Sequence, residues 1–177
     1  MIDALLEAWG LKALPRTGWG LRGIHNAESV AAHSWGIAAL VLVFLPDDLD
    51  TARALSYATL HDLAEVRVGD LTPSDGVSPA SKHALERQAM VGLCTALPRG
   101  AQLLETWDEY EAQADPEALF VRQLDRLDMA LQALLYERTT GVDTGEFLDS
   151  AQRVMHHPTL VAAMLAIREA RSASVQQ

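Results

Sequence analysis

Apolar positions recur three and four residues apart along almost the whole chain, the period of a helix that buries one face. The pattern predicts helices over residues 2–13, 28–45, 50–65, 79–97, 101–114, 116–140, 144–155 and 158–172. The punctuation agrees with those limits. Pro46 stops the second helix, Asp50 or Thr51 supplies the N-cap of the third, and Pro79, Pro116 and Pro158 open later ones. Residues 15–26, PRTGWGLRGIHN, carry three glycines and a proline and predict an ordered loop without regular helix; residues 68–79 predict a second loop. No segment alternates with the two-residue period of a strand. The expected fold is all-α, a single-domain bundle of about seven or eight helices over residues 1–177, with a disordered tail at 172–177.

Composition narrows the classes. At 177 residues the chain fits one domain and can bury roughly 70% of its unfolded surface, so it needs no disulfide or metal merely to hold a core. Twenty-four acids against 14 bases give a net charge of −10, which argues against a surface for DNA, RNA or anionic lipid. A single nucleotide is still allowed, because one phosphate needs only a few local cations. The one cysteine, Cys94, cannot form an internal disulfide, as expected in the cytoplasm. The apolar run at residues 37–45 is too short to span a membrane, and the acidic N-terminus lacks the basic start of a signal peptide.

Candidate chemistry lies inside the apolar helices. His61 and Asp62 are adjacent ligand types in an otherwise core-like stretch, where unsatisfied polar groups are costly. His33 sits in the middle of ESVAAHSWGIAALVLVFL, and Asp125 and Asp128 lie one turn apart on a later helix. Singly, each has an ordinary explanation: a hydrogen-bonded core histidine, a chance dipeptide, or a solvated face shared with Arg122 and Arg126. Together, His33, His61, Asp62 and Asp125 make a nitrogen and oxygen ligand set suited to a divalent transition metal, with positions left for water and substrate.

The order H…HD…D resembles the signature of HD-domain metal-dependent phosphohydrolases. The runs LPRTGWGLRGIHNAESVAAHSW, HDLAEVRVGDLTPSDGVS, KHALERQAM and LDRLDMALQALLYE, within residues 10–140, are similar to the small single-domain branch that contains the 5′-deoxynucleotidases. The resemblance implies an HD-type bundle and one divalent metal, drawn from Mn, Co, Fe, Ni, Mg and Zn, held by His33, His61, Asp62 and Asp125. It implies catalytic roles for Glu65, the acid of HDxxE, and for Asp70, the acid of the GD pair. By the same resemblance Arg16 is the phosphate ligand and Trp19 a wall or stacking surface for the nucleoside. In the branch's bacterial nucleotidases the Arg directly precedes the Trp, whereas here the two are three apart. Lys82 and Glu86 keep part of an EKxxxE motif whose first acid is Ser81 here, and Lys82 is the second candidate for phosphate. Glu28 reads as an acid in the first turn of its helix.

The implied reaction is hydrolysis of a 5′-(deoxy)nucleoside monophosphate to nucleoside and phosphate by a cytoplasmic homodimer. A dinuclear HD oxygenase or phosphodiesterase is one alternative. It needs extra histidines between the HD pair and the last Asp, and only His83 lies there. A non-catalytic nucleotide sensor is the other, and the retained ligand set and Glu65 speak against it.

Overall fold

In a computed structural model that describes residues 1–175, with side-chain surroundings as far as Ala173, the described residues form ten α-helices and two 3₁₀ turns. In chain order the helices are α1 (Ile2–Trp9), α2 (Thr17–Gly20), α3 (Val30–Phe44), α4 (Thr51–Leu60), α5 (Glu65–Val68), α6 (Pro79–Cys94), α7 (Gly100–Ala112), α8 (Pro116–Thr140), α9 (Gly145–Gln152) and α10 (Pro158–Val175). Eight of them are two turns or longer, and no strand is present among the described residues beyond a single bridge between Pro15 and Ser29. Among the described residues, no helix is long and apolar enough to cross a membrane.

The long helix α8 is the axis of the fold. Asp115 caps it by accepting from the Ala118 amide at 2.8 Å, Pro116 fills its first turn, and Gly141 ends it at φ 74°. It packs against α3, α4, α9 and α10. Its buried stripe of Ala118, Val121, Leu124, Leu127, Ala130 and Ala133 mixes small and large side chains, so neighbouring helices approach closely. A smaller core joins Ala64 to Ala89, Met90 and Cys94 on α6 and Trp107 on α7. The Trp107 indole N–H donates to the His61 carbonyl at 3.1 Å and ties the end of α4 to that cluster.

Several local expectations change. Residues 15–26 contain a turn of helix, α2, because the Asp70 carboxylate caps it by accepting from the Thr17 amide at 2.6 Å and Trp19 anchors it in the core. The single helix expected over 50–65 divides at Leu60; i→i+3 bonds such as Glu65 N–H to Asp62 C=O tighten the chain before α5. The helix expected at 28–45 starts at Val30 with Ser29 as N-cap, so Glu28 lies outside it and does not serve the helix dipole. That helix is not buried all round either: Trp35, Leu42 and Val43 are exposed. The expected tail is helical as far as Val175, while residues 176–177 lie outside the described residues.

Candidate metal and phosphate site

The site lies where α3, the α4–α5 turn and α8 meet, with the loop carrying α2 folded over it. Two backbone bonds close that loop at its base: Arg16 N–H to Glu28 C=O and Val30 N–H to Leu14 C=O, both 2.9 Å. Arg16, Trp19, His61, Asp62, Glu65, Asp70, Lys82 and Asp125 all line one open cavity of about 1060 Å³. His33 is buried at its floor, facing Asp125 and Asp62.

Hydrogen bonds orient the two imidazoles. His33 Nδ1 lies 2.7 Å from Asp128 Oδ2, and His61 Nδ1 lies 3.0 Å from the Ala58 carbonyl. Carboxylate and carbonyl oxygens only accept, so Nδ1 carries the hydrogen in both rings and Nε2 is the nitrogen left for a ligand. Neither Nε2 has a hydrogen-bond partner, although both are buried. The His33 Nε2 lies 3.2 Å from Asp125 Oδ1 and 3.8 Å from Asp62 Oδ2; the His61 Nε2 lies 3.1 Å from Asp62 Oδ2. Ligand atoms of His33, His61 and Asp62 all fall within 4.8 Å of one another. Orphaned buried nitrogens facing two carboxylates are what a divalent cation satisfies, so the donor set fits a metal.

The charges show how tightly the groups interact. Burial works against ionisation of Asp62, yet His61, Arg16 and His33 hold it well below the usual carboxylate range. Asp125 is likewise held low against burial, by His33 and Arg126. Burial lowers the affinity of His33 for a proton, but Asp125 and Asp128 outweigh this and hold the metal-free imidazole up at about 10. Glu65 is 2% exposed, and its Oε2 has no partner. Burial first, then repulsion from Asp62 and Asp70, pushes its carboxyl up to about 9.

Arg16 Nη1 reaches Asp62 Oδ2 at 3.1 Å and Asp70 Oδ1 at 3.5 Å, so the guanidinium stands beside the ligand cluster. Asp70 therefore holds both Arg16 and the amide of Thr17. Trp19 is 3% exposed, with Phe147 at 4.3 Å and the edge of Tyr136 at 5.2 Å, and its indole N–H donates to Glu28 at 3.0 Å. Packed against these rings and nearly buried, it forms part of the cavity wall. Lys82 Nζ lies 3.4 Å from Glu86, 3.9 Å from Glu65 and 3.3 Å from the Leu71 carbonyl. His83 lines the same cavity, paired with Glu111 and stacked on Trp107. Sequence reasoning left Asp128 undecided and missed the Glu28–Trp19 contact. The only signal for Asp128 was its spacing from Asp125.

Residues 9–164 match the family model described as HD domain. The 5′-deoxynucleotidase HDDC2 of Danio rerio is 38% identical over 166 residues, spanning 92% of this chain and 83% of that protein. The human 5′-deoxynucleotidase HDDC2 is 37% identical over 169 residues, spanning 93% and 83%. The crystal structure of the PH0347 protein from Pyrococcus horikoshii OT3 superposes with a TM-score of 0.77 at 30% identity, covering 98% of each chain.

Proposed function

The chain belongs to the HD domain family, and from that premise we propose that it is a metal-dependent 5′-deoxynucleotidase, releasing phosphate from deoxynucleoside 5′-monophosphates through a single HD domain. The observation that carries the reading is the pair of buried, unpartnered Nε2 atoms of His33 and His61 facing Asp62 and Asp125. These four residues would hold one divalent cation. When bound, such a cation supplies Lewis-acid polarisation of the phosphoryl group.

The other steps fall to the chain's own side chains. Arg16 binds the phosphate; both its carboxylate contacts run through Nη1, and the rest of the guanidinium turns to the substrate. Glu65 would ionise once a cation balances the charge of Asp62, and its Oε2, buried and unpartnered, then takes the proton of the attacking water. Lys82, close to Glu65, adds positive charge to the cavity. Asp70 orders Arg16 and the α2 loop; to return a proton to the leaving 5′-oxygen it must first take up the one that the attacking water gives up. Trp19 and Phe147 wall the nucleoside end. The pairing of His83 with Glu111 favours one metal over two.

The acidic chain favours a monomeric nucleotide over DNA or RNA, and the lone free cysteine favours the cytoplasm. A homodimer belongs to the same proposal, supported by the exposed Trp35, Leu42 and Val43 on α3. The test is a phosphate-release screen over deoxy- and ribonucleoside 5′-monophosphates, repeated with Mn²⁺, Co²⁺, Mg²⁺ and Zn²⁺. Turnover of the deoxy series that chelation abolishes is the expected result. Tight nucleotide binding without release under every metal would replace the enzyme with a sensor.

A further inference from the structure

His33 and Asp128 are 95 positions apart in sequence, and their contact depends on how α3 and α8 cross. At the crossing stands Gly36, one turn after His33. A Cβ built there would lie 2.0 Å from Asp128 Oδ1 and 2.9 Å from Asp128 Cγ. Any larger residue would displace the carboxylate. Glycine is a poor helix former in the middle of a 15-residue helix, yet it occupies a position that borders Asp128.

We propose that Asp128 is a positioning residue: admitted by the notch at Gly36, its carboxylate holds the His33 ring so that Nε2 faces the metal site. The inference rests on the reading of His33 as a metal ligand. Asp128 is not itself a ligand of the same cation, because it contacts Nδ1, on the opposite side of the ring from Nε2. Nor does it build a second site with Glu28 and His33, whose ligand atoms lie within 4.8 Å of its own. The Glu28 Oε1 already accepts the Trp19 indole N–H, and Nδ1 is committed to Asp128. What remains for Asp128 is to fix the tautomer and the rotation of a ligand imidazole, the work of outer carboxylates in many metal sites.

The test uses the full chain and Co²⁺ alone, with affinity read by chelator competition and geometry by the visible absorption of the bound ion. Asp128→Ala is expected to weaken Co²⁺ binding by about 10–100-fold and to alter the spectrum. Asp128→Asn, which keeps an acceptor oxygen at the same place, restores most of both. Gly36→Ala, with Asp128 intact, reproduces the loss, and the double variant Gly36→Ala/Asp128→Ala is no worse than either alone. Thermal melts of the metal-free proteins check that each variant folds. His33→Ala separates the two layers of the argument. If it loses Co²⁺ while Asp128→Ala and Gly36→Ala bind like wild type, the positioning role falls and the ligand reading stands. If His33→Ala binds like wild type, the ligand reading itself falls. An Asp128→Asn protein as weak as Asp128→Ala also overturns the proposal, because orientation needs only an acceptor.

Discussion

Glu65→Gln separates catalysis from folding, because the structure predicts opposite effects on the two. The side chain is buried, with Lys82 Nζ 3.9 Å from Oε1 and no partner on Oε2. Burial and the neighbouring Asp62 and Asp70 raise its carboxyl from 4.5 to about 9 in the metal-free protein. A carboxyl whose folded pKa is raised stabilises the fold fully below its unfolded pKa and loses that contribution as pH climbs toward the folded value. At pH 7 the folded protein must keep neutral a group that is ionised when unfolded. That gap of about 2.5 pH units, at about 1.36 kcal/mol each, is a penalty of roughly 3 kcal/mol. Glutamine has the same shape and no charge, so it escapes the penalty. We expect metal-free Glu65→Gln to gain about 1–3 kcal/mol at pH 7, or about 2–10 °C in Tm, with the gain vanishing near pH 4. The same change removes the proton acceptor, and kcat should fall by about 10²–10⁴-fold with metal content unchanged. Calorimetry across pH 4–9 in a chelator, with phosphate release after metal loading, measures both. A flat pH dependence of the stability difference would refute the electrostatic argument, and a near-normal kcat or lost metal would refute the catalytic one.

Three more outcomes follow from the same cluster. Asp125→Ala should abolish both metal binding and turnover, read by metal analysis and phosphate release; stoichiometric metal with a normal rate would remove Asp125 from the ligand set. Arg16→Ala should raise KM by about tenfold or more with a smaller change in kcat, as expected for a charge-assisted bond held equally in ground and transition states; an unchanged KM would exclude Arg16 as a phosphate ligand. Loading the metal-free protein at pH 8 should release about one to two protons per cation, one from His33, which is held up at about 10 and must be neutral to ligate, and up to one more from Glu65, which is held up at about 9. Affinity should therefore strengthen as pH rises toward those values. Calorimetry in buffers of different ionisation enthalpy measures the release, and its absence would contradict the charge state of His33.

The Glu28–Trp19–Asp128 corner shows where local reading stops. Helix positions were legible because periodicity and caps act over one or two turns: Asp50 caps where expected, and the proline-opened α8 spans the expected residues 116–140. Departures arose where a distant group intervened. The α2 turn exists because Asp70, 53 positions away, caps its first amide. Trp19 packs against Tyr136 and Phe147, more than a hundred residues along the chain. Asp128 could be placed on a face of α8, but its partner depends on the crossing at Gly36.

By itself, the amino-acid sequence determined the all-α character, the helix boundaries to within a few residues, and a short list of candidate nitrogen and oxygen ligands. These follow from local hydrophobic period, capping chemistry and the cost of polar groups in apolar helices. Only the tertiary structure decided which atoms meet: the imidazole nitrogens that face the carboxylates, the pairing of Arg16 with Asp62 and Asp70, and the burial that lifts Glu65. Directions and charge states depend on neighbours tens of residues away, brought into contact by the packing of α3, α4 and α8.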